Sequence, residues 1–379
     1  MKIAKQLIQK IDSIDSETLK TDSLLNGRLG LVYYYYNLYK HFNDEKHLDK
    51  IQVNLEAVLN NIESQTSDVL LDSTLENGLS GLGYILQLLI NANILDTEYK
   101  SEIDQINTVV FDEAIKLIEQ KNYDFVRGPF GILFYLSFVN DTFHVNAILE
   151  ILIEKFKEDE DFFFYNEYTY IEGVHIGYAH GICGIIKVLN DNKDEDERVD
   201  FMIEKLLMKL VSIIENNDFY IDNQKYYLPR SIHKDDTYKN GLNYRAVLAW
   251  SNSDINFSTL IYSIKEKYVT KKLIDIANEI ALNSISRKKE KHTRVWDHRF
   301  YFGSSGVLKI YNFLYKKTGV KAYQKAAKYW YKQTLIFLEE NKIENHPLNF
   351  LNNLPATTLS ILEFEEEKDM NWTKILLLL

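Results

Sequence analysis

The sequence predicts an all-α protein built from repeated helical hairpins, on three observations. A glycine motif, GxxG, recurs at near-constant spacing, and each copy opens an apolar run of helical period. A second, amphipathic segment separates each copy from the next. Only 4 prolines interrupt the 379 residues, so little in the chain breaks a helix.

The copies are Gly27-Arg28-Leu29-Gly30, Gly78-Leu79-Ser80-Gly81, Gly128-Pro129-Phe130-Gly131, Gly181-Ile182-Cys183-Gly184 and Gly303-Ser304-Ser305-Gly306. Two degenerate copies, Ser253 to Asn256 and Leu354 to Thr357, complete the series. The anchors at 27, 78, 128, 181, 253, 303 and 354 lie 51, 50, 53, 72, 50 and 51 residues apart. Self-similarity at such a period marks a repeat architecture.

Each anchor starts an inner helix that is apolar on nearly every side. Between anchors, His47 to Ile62, Glu102 to Gln120, Asn146 to Phe156, Arg198 to Ile214, Lys271 to Ile285 and Lys321 to Leu338 place apolar residues three and four apart, with Lys and Glu between them. That spacing gives an outer helix with one wet face. A hairpin that cannot bury its own apolar face must stack on its neighbours, in an open array or a closed ring. The long gap holds Asp218 to Arg245, an insertion around 218–245 in which a short strand pair is expected. No shift in composition divides the chain, so residues 1–379 are expected to form one domain.

The net charge of -11, with no large Lys/Arg block, excludes nucleic acid as a main partner. A single cysteine, Cys183, allows neither an intrachain disulfide nor a multi-cysteine metal site. The longest apolar run, Leu82 to Leu95, is broken by Gln87 and Asn91 and is too short to span a bilayer. The N-terminus lacks the apolar core of a signal peptide, so a cytoplasmic location without a membrane span is expected.

The residues just before the helices are Asn26, Asn77, Arg127, His180, Asn252, Phe302 and Asn353, all polar but one. In a closed ring they gather at one mouth, together with the helix N-termini. Free N–H groups there are expected to stabilise a thiolate or an enolate.

With Ala179-His180-Gly181 in the fourth repeat and Tyr123-Asp124 ahead of the third, the chain resembles the lanthionine synthetase C-like proteins over nearly its whole length. The resemblance implies an α/α toroid of seven inner and seven outer helices. It implies addition of a peptide cysteine thiol to dehydroalanine or dehydrobutyrine, giving a thioether ring. It also implies a dehydrated precursor peptide as substrate and a dehydratase as companion. His180 matches the family's AHG histidine, and Asp124 its YDxxxG aspartate. The family's usual zinc ligands are the cysteine of a WCYG-like motif and the pair in a CHG motif. Here those positions hold Ser251, Tyr301 and Phe302, so no metal and no cofactor are expected. Some members lack the zinc ligands and still form rings.

Each candidate has a plainer reading. His180 at a helix start can be a hydrogen-bonded structural histidine, and Asp124 can be a helix cap. As chemistry, the histidine moves a proton near neutral pH, and the aspartate orients it or carries a proton itself. Cys183 lies three residues after His180 but reads as packing. Arg127, Trp250, Asn252, Asp297, His298 and Arg299 are the expected substrate contacts at the mouth. Glu172 and His175 read as loop structure, and Tyr33 to Tyr36 mostly as packing. Two rival functions remain, a ring that binds a peptide or protein without chemistry and a carbohydrate-active enzyme. The latter needs two carboxylates across a cleft, drawn from Asp124, Asp254 and Asp297.

Overall fold

The computed structural model describes residues 2–159, 164–167, 171–192, 196–235, 238–340 and 348–378. In chain order the helices are α1 (Ile3–Asp12), α2 (Arg28–Phe42), α3 (Lys46–Glu63), α4 (Leu79–Asn91), α5 (Lys100–Glu119), α6 (Pro129–Val139), α7 (Thr142–Glu158) and α8 (Ile182–Asp191). They continue with α9 (Glu197–Asn216), α10 (Ile255–Ile261), α11 (Lys271–Ser284), α12 (Glu290–Thr293), α13 (Ser304–Thr318), α14 (Lys321–Glu340) and α15 (Leu354–Glu366). Five short strands are β1 (Val174–His175), β2 (Phe219–Ile221), β3 (Gln224–Tyr226), β4 (Ser231–Ile232) and β5 (Leu242–Asn243).

The inner helices follow the anchors closely. Those at the glycine motifs begin one residue after the first glycine, and α10 begins two residues after Ser253. Going round, α2, α4, α6, α8, α10, α13 and α15 each pack on the next, and α15 packs back on α2. The fold is therefore a closed α/α toroid rather than an open array. Outer helices α3, α5, α7, α9, α11 and α14 pack on the inner helices that precede them. Their burial explains the two rings. The first eight residues of α6, Pro129 to Leu136, are all buried, whereas α5 buries one stripe led by Ile103, Ile106, Val110, Ala114 and Leu117. Each large aliphatic or aromatic side chain so buried contributes roughly 1.5–3 kcal/mol.

The seventh outer helix comes from the other end of the chain, which the hairpin reading did not anticipate. α1 packs on α15 through Ala4, Leu7, Ile8 and Ile11, a stripe of helical spacing. Glu365 of α15 accepts hydrogen bonds from the backbone N–H groups of Ile3 and Ala4, at 3.1 and 3.3 Å. A carboxylate at a helix N-terminus satisfies orphan donors and complements the dipole.

Backbone hydrogen bonds link the loops at the mouth. Phe300 donates to Leu351, Leu351 to Leu25, Leu25 to Glu76, Glu76 to Val126, Val126 to Ala179, and Ala179 to Ser251. Among the described residues, no such bond joins Ser251 to Phe300. Close approach in this belt requires glycine. A Cβ on Gly30 would sit 2.5 Å from the Leu24 carbonyl and 2.6 Å from Phe350 Cβ. A Cβ on Gly181 would overlap the His175 carbonyl.

Deeper in the ring lies a turn of 3₁₀ helix, Trp372–Leu376. The Tyr33 hydroxyl on α2 donates to the Trp372 carbonyl at 2.6 Å, and Trp250 Nε1 donates to the Leu376 carbonyl at 2.9 Å. Its contacts thus come from well-separated parts of the ring. The insertion forms the antiparallel hairpin β2–β3, and β4 and β5 join β1 in a three-stranded antiparallel sheet. The expected strand pair is present, and β1 is an addition to it.

Candidate active site

His180 ends the loop that leads into α8, and Asp124 belongs to the loop before α6. The belt places these loops side by side, and the expected approach of the two residues is present. His180 Nδ1 lies 2.5 Å from Asp124 Oδ2. The Asp124 side chain has no exposure, and His180 retains 17%. The other Asp124 oxygen accepts the Arg127 backbone N–H at 2.8 Å. Asp124 therefore stabilises its own loop while orienting the imidazole.

The other face of His180 meets a residue the sequence reading treated only as a lost zinc ligand. The Tyr301 hydroxyl is 2.6 Å from His180 Nε2. A carboxylate only accepts, so Asp124 as the anion places the imidazole proton on Nδ1. Nε2 then accepts from the Tyr301 O–H, giving the chain Asp124–His180–Tyr301. The Tyr301 ring is braced edge-on by Trp250, with centroids 5.5 Å apart, and by Phe302 at 4.6 Å. The only signal in the sequence was its place at a ligand position.

The expected substrate contacts divide. Trp250 is fully buried and committed to Leu376, so it supports Tyr301 from beneath and presents no surface to a ligand. Asn252 is buried, with Nδ2 3.4 Å from His175 Nδ1. Arg127 forms a two-pronged ion pair with Glu76 of the neighbouring repeat. Asp297 holds Arg299, with Nε 2.7 Å from Oδ2. His298 turns into the core, 3.2 Å from the Thr357 hydroxyl, and burial pushes its pKa down to about 4. The exposed aromatics nearby are Trp296 and Phe302.

Burial pushes His175 down to about 3, reinforced by the neighbouring His180, so its imidazole is neutral at ordinary pH. Burial raises the pKa of Cys183 far above its usual value and makes the thiol inert, in keeping with packing. Asp254 makes a buried bidentate pair with Arg287, at 2.8 and 2.7 Å. With Asp254 and Asp297 both held by arginines, the paired-carboxylate reading loses its second carboxylate.

The helix N-termini differ from expectation. Cys183 N–H donates to the Ile176 carbonyl, Gly184 to Gly177, Leu79 to Asp72 and Ser304 to Asp297. Loop carbonyls occupy these donors because the glycines let each loop fold tightly over its own helix, so they are not free for an oxyanion.

The positions that the resemblance matches to zinc ligands hold no thiolate, imidazole or carboxylate. Ser251 offers a buried hydroxyl with no hydrogen-bond partner, Tyr301 a phenol engaged by His180, and Phe302 no donor atom. Zinc sites are built from thiolate, imidazole and carboxylate. Among the described residues, no group of three or more His, Cys, Asp or Glu is placed to hold a metal. Nor is any described helix long and apolar enough to cross a membrane.

A closed ring of inner and outer helices, with an aspartate–histidine pair at its mouth, defines a class of toroidal protein. The family model for lanthionine synthetase C-like proteins matches residues 18–354, and the chain belongs to that family. Among solved structures it is similar to a protein titled nisin cyclase, with a TM-score of 0.79 and 19% identity. That match covers 99% of this chain and 97% of the other. No curated protein sequence matches the chain significantly.

Proposed function

We propose that this protein is a zinc-independent cyclase that adds peptide cysteine thiols to dehydroalanine or dehydrobutyrine, forming thioether rings. It acts in the cytoplasm on a precursor peptide already dehydrated by a companion enzyme. The observation that carries the reading is the Asp124–His180–Tyr301 chain at the mouth of the ring. The sequence family supports the class of chemistry.

The relay balances without a metal. A peptide thiol gives its proton to the Tyr301 oxygen as Tyr301 passes its own to His180 Nε2. Asp124 stabilises the imidazolium that forms. The thiolate attacks the dehydroresidue at Cβ, forming the S–C bond and moving the C=C electron pair onto the carbonyl oxygen. The resulting enolate takes a proton at Cα as the relay runs backwards. Thiolates are strong nucleophiles, so the step needs less activation than one with water.

The test is mass spectrometry of the dehydrated peptide after thiol alkylation, because cyclisation itself leaves the mass unchanged. Wild type is expected to protect the peptide thiols, and His180→Ala to leave them free while remaining folded. If wild type protects none, the reading fails and a peptide-binding ring without chemistry replaces it. If His180→Ala protects equally well, the histidine is not part of the relay.

A further inference from the structure

The chain has eight arginines in a protein where 55 acidic residues outnumber 44 basic ones. Five of them pair with carboxylates: Arg28 with Asp22, Arg127 with Glu76, Arg198 with Glu150 and Asp196, Arg287 with Asp254, and Arg299 with Asp297. Arg230, Arg245 and Arg294 have no ion pair or side-chain hydrogen bond among the described residues. These three come together beside the candidate active site.

The backbone explains how. The Arg230 N–H donates to the Asn243 carbonyl at 2.8 Å, two residues before Arg245. Leu248 donates to the Thr293 carbonyl at 2.9 Å, bringing the segment after Arg245 alongside Arg294. The Ile176 N–H donates to the Arg230 carbonyl at 3.2 Å, which fastens Arg230 next to His175. Arg230 and Arg245 are half-buried, and Arg294 is exposed. Burial and the fields of Arg245 and Arg294 disfavour the charge on Arg230, and the nearby Tyr238 and Tyr301 oppose them. A guanidinium stays charged in a protein, so the cluster is a standing concentration of positive charge at the Tyr301 side of the mouth.

We propose that Arg230, Arg245 and Arg294 form an oxyanion subsite that holds a carboxylate or phosphate monoester carried by the peptide substrate close to its reacting residue. Guanidinium groups match both oxyanions through paired N–H donors. In a protein of net charge -11, a positive mouth also steers an acidic peptide to the site and away from the rest of the surface. The ligand class rests on the cyclase reading, but binding and ring formation are measured separately, so either can fail alone.

The experiment uses three fluorescein-labelled peptides of one sequence, differing at a single residue that is serine, aspartate or phosphoserine. Fluorescence anisotropy at low salt reads their affinities for the full chain. The aspartate peptide, the phosphoserine peptide or both are expected to bind about tenfold more tightly than the serine peptide. Which one gains identifies the anion as carboxylate or phosphate. The advantage is expected to vanish in Arg230→Gln/Arg245→Gln/Arg294→Gln, with the serine peptide unaffected. Arg245→Gln/Arg294→Gln, which spares Arg230 and its fastening beside His175, is expected to lose part of it and covers the case in which the triple variant does not fold. Equal affinity for all three peptides, no binding by any, or an advantage that survives the arginine changes overturns the proposal.

Discussion

The mouth of the ring has two unlike sides. From Phe300 round through Leu351, Leu25, Glu76, Val126 and Ala179 to Ser251, each loop is tied to the next by a backbone hydrogen bond. Between Ser251 and Phe300 the belt lapses, and side chains take over. Trp250 reaches down to Leu376 and across to Tyr301, and Tyr301 reaches His180. The tied side follows from the glycine motif and is a device of architecture. The open side carries Ser251, Tyr301 and the degenerate fifth anchor at Ser253. Asp124 and His180 meet across the tied side, and Tyr301 reaches His180 from the open side, so in the proposed relay the two sides are joined.

If the tied side depends on close backbone approach, it should resist even one added methyl group. Gly30→Ala is expected to cost about 3 kcal/mol, because its Cβ meets the Leu24 carbonyl and Phe350 together. Chemical denaturation reads this as a lower midpoint at unchanged slope. A neutral result would show that the belt has slack.

Acid should act on the tied side, where His175 meets Asn252 and His298 meets Thr357. His175 and His298 are held below the usual 6.5, at about 3 and about 4, so the unfolded chain binds more protons between those limits. Their contribution is therefore complete above pH 6.5 and is lost as pH falls towards 4 and then 3. The melting temperature followed from pH 7 to pH 4 is expected to fall, and replacing His298 with Asn should flatten part of that slope. An unchanged slope would mean that His298 does not titrate with unfolding.

Smaller effects separate support from slack on the open side. Trp250→Phe removes the hydrogen bond to Leu376 while keeping a ring beneath Tyr301, and is expected to cost about 1 kcal/mol of stability. Ser251→Ala is expected to be neutral or slightly stabilising, because its buried hydroxyl has no partner to lose. A large loss there would reveal a role for that hydroxyl that the geometry does not show.

The sequence was most legible where one rule repeats. Seven anchors placed the inner helices, and the three-and-four spacing placed six outer ones. The seventh, α1, was hidden because its partner α15 lies at the opposite end of the chain, and only ring closure brings them together. Asp124 and His180 were legible because both stand before inner helices in adjacent repeats. Tyr301 was not, since a phenol at a ligand position declares no role until the loop of the sixth repeat reaches the fourth. The helix N-termini misled for a related reason. Glycine signals that a loop comes close to its helix, but not that the loop's carbonyls then occupy the N–H groups.

The central claim is that Tyr301 and His180 do the work of a metal. It is tested most directly by the rate of thioether formation with chelator-treated protein, wild type beside Tyr301→Phe. Chelation is expected to leave the wild-type rate unchanged. Loss of the phenol is expected to lower kcat about 10²- to 10³-fold with little change in KM, as removal of a positioned acid–base group does. A wild-type rate that falls on chelation and returns with added zinc, or a Tyr301→Phe variant as fast as wild type, would contradict the account.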